Sequence, residues 1–156
     1  MKKSKSPIKF GIGISIVLIL SFLLFASLNL HINPIYSLIN GLIMATGMLA
    51  FINNYKKEKQ ETFNYQKGFV ATLFTGFNAT VTFTLFFAIY ADIIEPNYIS
   101  TLLGNWSKHT PETLVVFTVF SMGLVTTLLL SLTYMQYYKN SWNLLKPSNT
   151  LSIKPL

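Results

Sequence analysis

Between Lys67 and Asp92 the chain runs for 24 residues, GFVATLFTGFNATVTFTLFFAIYA, with no ionisable side chain other than Tyr90. Wound as an α-helix at about 1.5 Å per residue, this stretch is roughly 36 Å long, enough to cross a hydrocarbon core of about 30 Å with some tilt. Within it Gly68, Thr72, Gly76, Thr80, Thr84 and Ala88 recur at every fourth position. All six are small, so one ridge of the helix is nearly bare and admits another helix at close range. The remaining residues are mainly Phe, Leu, Val and Ile, suited to lipid or to bulky neighbours. This is the hub around which the other segments are expected to pack.

Three more apolar runs accompany it. MKKSKSPIK carries four lysines and is followed by Phe10 to Leu30 without a charge. That run exceeds the roughly 7–15 apolar residues of a signal peptide, and no A-x-A site follows it, so it reads as a retained first span. Asn33 as an N-cap and Pro34 in the first turn open a second span, from about Ile35 to Asn54. The short connection makes the first two spans an antiparallel hairpin. Ser37, Gly41 and Ala45 repeat the small-residue spacing there. Thr110-Pro111-Glu112 is a helix-start signature that opens the fourth span, about Thr113 to Tyr134. On that span Gly123, Thr127 and Ser131 form a small stripe suited to face the central helix.

The connections complete the expected layout. YKKEKQETFNYQK, Tyr55 to Lys67, reads as a polar loop with Phe63 and Tyr65 at the interface. In DIIEPNYISTLLGNWSKHTPET the residues Tyr98, Leu102 and Trp106, with Ile99 and Leu103, fall at helical spacing. They predict a short amphipathic helix lying in the outer interface. The tail from residue 139 is polar and contains prolines, with Trp142, Leu144 and Leu145 near the membrane surface. The expected fold is therefore an all-α membrane protein, four transmembrane helices in an antiparallel bundle with a short interfacial helix between the third and fourth. Spans lie at about 10–30, 35–54, 68–91 and 113–134, giving a membrane domain over 1–138 and a tail over 139–156.

Charge orients this layout. Only 11% of residues are charged, against roughly 25% in soluble proteins. Of the twelve lysines, eleven fall in the N-terminal segment, the Tyr55 loop and the tail, and Lys108 alone falls on the other side. That asymmetry places both termini in the cytoplasm. Asp92, Glu95, Glu112 and both histidines then lie outside. Lysines at the ends of apolar runs serve topology, and a base-reading surface would favour arginine, which is absent, so nucleic acid is not an expected partner. There is no cysteine, hence no disulfide or thiolate nucleophile.

The segment TFNYQKGFVATLFTGFNATVTFTLFFAIYADIIEPNYI resembles the domain-of-unknown-function 4199 family of bacterial membrane proteins. The resemblance rests on Phe63, on Lys67-Gly68-Phe69 entering the helix, on Ile89-Tyr90 near its end and on Glu95-Pro96 beyond it. With the four-span layout it extends over roughly Lys9 to Tyr138. It implies a bacterial inner-membrane location and no activity, cofactor or ligand residue.

Catalytic chemistry finds little purchase in the sequence. HExxH, GxSxG and the P-loop are all absent. His31 and His109 sit in separate outer connections, and Asp92, Glu95, Glu112 and His109 have no metal-ligand spacing. Asn105-Trp106-Ser107 fits a glycosylation sequon. The notable intramembrane polar residue is Asn78, flanked by Thr75, Thr80 and Thr82, with Asn40 as a partner if their depths match. Interhelical hydrogen bonding accounts for it without a substrate. The expected role is a non-catalytic envelope membrane protein associating with other membrane proteins or with itself, with no cofactor and no metal. The alternative is a small transporter or channel built by oligomerisation around Asn78.

Overall fold

The computed structural model describes residues 6–28, 30, 35, 37–59, 63–103 and 112–144, with side chains described as far as Tyr138. Five α-helices follow in order: α1 (Pro7–Ser27), α2 (Ser37–Lys59), α3 (Tyr65–Ile89), α4 (Tyr98–Leu103) and α5 (Glu112–Leu144). No strand occurs among the described residues. α1, α2, α3 and α5 are each long and apolar enough to cross a bilayer, so the chain is an all-α, multi-pass membrane protein.

The helix boundaries differ from the expected spans in instructive ways. α1 begins at Pro7, because a proline in the first turn has no amide to leave unpaired and its fixed φ suits the helix. α2 runs on to Lys59 rather than Asn54, and α3 begins at Tyr65 rather than Gly68. Most of the expected polar loop is therefore helix. Lys56, Lys57 and Lys59 fall in the last turn of α2, where cations favour the helix C-terminus. α5 reaches Leu144 instead of Tyr134, about 50 Å at helical rise, so it extends past a core of about 30 Å. Its backbone is thus helical through the first part of the expected tail. The first interhelical turn with Asn33 and Pro34, the segment 104–111 with Trp106 and His109, and residues 145–156 lie outside the described residues.

The registers follow from close contacts. Phe10 meets Phe51 with ring centroids 5.4 Å apart, and Ile14 lies against Gly47, so α1 and α2 are antiparallel neighbours. Gly76 faces Thr127 and Gly123 faces Thr80, so α3 and α5 are antiparallel as well. Gly11 sits on Thr75, Asn78 and Ala79, and Phe22 on Phe83, Phe86, Phe87 and Tyr90, which makes α1 and α3 parallel neighbours. α3 is the element on which α1, α2 and α5 all pack. Its remaining face, with Val70, Phe74, Phe77, Leu85 and Ile89, is exposed where lipid would lie.

Packing divides into three levels along the bundle. Ile52, Phe63 and Met135 fill the end near Lys67. Ile14, Leu18, Met44, Met48 and Ala79 fill the middle. Phe22, Phe87, Tyr90, Ala91, Tyr98 and Ile99 fill the end near Asp92. α4 contributes to that last level by folding inward. Tyr98 and Ile99 are each only 3% exposed. The expected short helix is present over Tyr98–Leu103, and Tyr98, Ile99, Leu102 and Leu103 of its apolar face pack against the end of the bundle.

Candidate functional site

The small ridge of α3 is the first candidate. Gly68, Thr72, Gly76, Thr80 and Thr84 are buried and Ala88 is half-buried. A Cβ added to Gly76 would stand 2.4 Å from the Thr127 methyl and 3.1 Å from the Met48 sulfur. One added to Gly123 would stand 2.5 Å from the Thr80 methyl. Glycine and threonine thus interlock twice, one turn apart and in opposite senses. The Thr80 and Thr127 hydroxyls are 3.3 Å apart at the centre of this contact. Gly68 is covered by the Phe63 ring and the Met135 sulfur.

A second small face escaped the sequence reading. Ala71, Thr75 and Ala79 repeat the four-residue spacing one position before Thr72, Gly76 and Thr80, and they are buried too. On this face Gly11 of α1 comes so close that its Cβ would lie 2.6 Å from the Thr75 carbonyl oxygen. The signal was present as the same spacing on an adjoining row. The stripe expected on α2 does not take part in the same way. Among the described residues no atom of another helix lies within 4 Å of a Cβ added at Gly41, whereas Gly47, off that stripe, is pressed against Ile14. The buried surface of α2 is instead Met44, Met48, Phe51 and Ile52.

The polar groups inside the bundle are mostly consumed locally. Asn78 Nδ2 donates to the Phe74 carbonyl of its own helix at 2.7 Å, so the expected bond to another helix is replaced by an intrahelical one. Thr72 and Thr75 donate to the Gly68 and Ala71 carbonyls at 2.8 and 2.9 Å. Besides the Thr80–Thr127 contact, bonds between helices come from two tyrosines at the lysine-rich end of α5. Tyr134 donates to the Ala45 carbonyl at 2.7 Å and Tyr138 donates to Asn53 Oδ1. Lys56 Nζ lies 4.6 Å above the Tyr138 ring. Three buried atoms have no hydrogen-bond partner among the described residues: Asn40 Oδ1, Thr84 Oγ1 and Ser131 Oγ. Counting outward from the Met48–Gly76 contact, Asn40 and Thr84 each lie eight residues away, at about the same depth.

The residues of the family-like motif gather at the two ends of α3. Phe63, Gly68 and Phe69 belong to the packing level near Lys67, which is itself exposed beside them. At the other end the helix widens into a π-turn over Tyr90–Ile94, closed by Glu95 N–H donating to the Tyr90 carbonyl at 2.9 Å. Pro96 disfavours helical backbone at Glu95, whose φ and ψ are −135° and 75°. The turn brings the Glu95 carboxylate within 2.8 Å of the Tyr90 hydroxyl, which donates to it. Burial, and then the Glu95 charge, push the Tyr98 phenol up to about 12. Phe22 stands at the centre of this level, its ring 5.0 Å from Tyr90 and 6.2 Å from Tyr98.

Asp92 is exposed, and the side chains of His31, His109 and Glu112 lie outside the described ones. Among the described residues no three His, Cys, Asp or Glu side chains gather where a metal ion would sit. Comparison with protein-family models, with curated proteins and with solved structures finds no match.

Proposed function

We propose that this membrane protein is a non-catalytic component of the cell envelope that associates laterally with other membrane proteins or with its own copies. The carrying observation is how the bundle uses its polar groups. Asn78, Thr72 and Thr75 bond within their own helix, and Thr80 and Thr127 face each other. No ionisable side chain other than tyrosine lies between Lys67 and Asp92 on the central helix. Pumps and ion-coupled transporters place charges or broken helices at that depth. Lateral association is supported by α5, whose Phe117, Met122, Val125 and Leu129 are all at least half exposed. The proposal includes membership of the domain-of-unknown-function 4199 family, a bacterial inner-membrane location and cytoplasmic termini, in keeping with the lysine asymmetry. Gentle detergent extraction followed by solution mass and identification of co-purifying chains tests it. A defined partner or a discrete homo-oligomer is expected; a monodisperse, unaccompanied monomer would overturn it.

A second reading, a small transporter or channel, is favoured by one observation. Asn40 Oδ1 and Thr84 Oγ1 are buried, unpartnered and at matching depth in the outer half of the bundle. Flux in proteoliposomes that is lost in Asn40→Leu and Asn78→Leu variants, with folding intact, would establish it over the first.

A further inference from the structure

Two open grooves flank the first turns of α1, and each carries a lysine. The groove between α1 and α3 holds about 500 Å3, within the roughly 300–1,000 Å3 typical of ligand clefts. Ser6, Gln66 and Lys67 line its lysine-rich end, and Ile8, Val70 and Phe74 line it towards the bilayer centre. Those three apolar side chains are all about half exposed or more. The groove between α1 and α2, about 510 Å3, repeats the plan with Lys9 beside Gly13, Val17 and Ile43.

The charge pattern at this end is one-sided. Lys56 is engaged over the Tyr138 ring, whereas Lys67 is exposed and has no ion-pair or hydrogen-bond partner among the described residues. The Ser6 hydroxyl makes no capping bond to α1. Eleven lysines share this side with only Glu58 and Glu61. Lys67, Ser6 and Gln66 therefore stand together at one end of the groove, with an apolar channel leading about 10 Å from Lys67 to Phe74 along α3.

From this complementarity we infer that the α1–α3 groove is a binding site for an anionic phospholipid of the lysine-rich leaflet. Its phosphate sits at Lys67, Ser6 and Gln66, and one acyl chain lies along Ile8, Val70 and Phe74. Basic pockets between transmembrane helices hold anionic headgroups by the same physics, an attraction strengthened where a lysine faces a charged leaflet.

The test uses the full chain reconstituted in phosphatidylcholine vesicles containing a minority of phosphatidylglycerol. The protein is then extracted in mild detergent and its retained lipid is quantified by mass spectrometry. Retained lipid should be enriched in phosphatidylglycerol, and Lys67→Gln should reduce that enrichment roughly fivefold, the worth of one lysine near an anionic surface. Lys57→Gln, an exposed lysine on the same side but outside the groove, should leave it unchanged, as should an excess of soluble glycerol phosphate. Equal losses in the two lysine variants, absence of enrichment, or displacement by glycerol phosphate would each overturn the site. Lys67 is exposed, so the far-ultraviolet circular dichroism of the variant should match wild type.

Discussion

At the scale of single residues, the glycines separate into two kinds that the sequence does not distinguish. Gly11 and Gly76 are spaces filled by another helix, while a Cβ added at Gly13 or Gly41 would have no atom of another helix within 4 Å among the described residues. Gly41→Ala should therefore stabilise the protein by about 0.5–1 kcal/mol, since alanine is the better helix former. Gly11→Ala should destabilise it by about 1–3 kcal/mol, because the obstacle is the Thr75 carbonyl, which is backbone and cannot swing aside. Gly76→Leu should cost about 3 kcal/mol or abolish folding. Thermal unfolding in detergent checks all three, and a wild-type midpoint for Gly76→Leu would remove α3 from its central role. Small residues at every fourth position of α3 were legible in the sequence. Which of two adjoining rows meets which partner was not, because small residues permit close approach without naming the helix that makes it. The bond made by Asn78 was misread for a related reason: an asparagine in a helix finds the carbonyl four residues back as readily as a neighbour.

At the scale of elements, the packing level near Asp92 is where α1, α3 and α4 are tied together. Phe22 meets the rings of Phe83, Phe86, Phe87, Tyr90 and Tyr98 there. Edge-to-face pairs add about 0.5–1.5 kcal/mol each beyond their buried area, so Phe22→Ala should cost about 3–5 kcal/mol. Faster proteolysis near the π-turn is the local readout. The Tyr98 phenol gives this level a pH signature. Its folded-state value, about 12, exceeds the ordinary value of 10.0. Its neutral form therefore contributes fully below about pH 10, and the contribution is lost as pH rises to about 12, where unfolded chains have released the proton and folded chains still hold it. Stability should fall across that window, and less steeply in Tyr98→Phe; identical slopes in the two proteins would contradict the burial of this hydroxyl. The existence of α4 was legible from its helical spacing, but the direction of its apolar face was not. Its spacing marks a face without saying whether lipid or protein covers it. The bonds from Tyr134 and Tyr138 to α2 were equally silent, since they join residues far apart in the chain.

At the scale of the whole molecule, the four spans and the uneven lysines make a topology that experiment can read directly. The sequence contains no cysteine, so a single cysteine introduced into the tail or between α4 and α5 is a clean label. Tail cysteines should react with impermeant reagents only after permeabilisation, and those between α4 and α5 should react in intact cells; the reverse pattern would invert the proposed orientation. The span count was legible because a bilayer imposes length and apolarity on every crossing segment. The arrangement of those spans around α3 was not, because lipid and protein neighbours favour the same residues. One feature of that arrangement bears on how the protein is made. The close seat of Gly11 on Thr75 joins two helices that run in the same direction, with the whole of α2 synthesised between them. The surface of α1 that meets Thr75 therefore has no partner until α2 and then α3 have been made. An α1–α2 hairpin without α3 would leave that surface uncovered, so a chain truncated after α2 should be degraded by membrane proteases faster than the full chain.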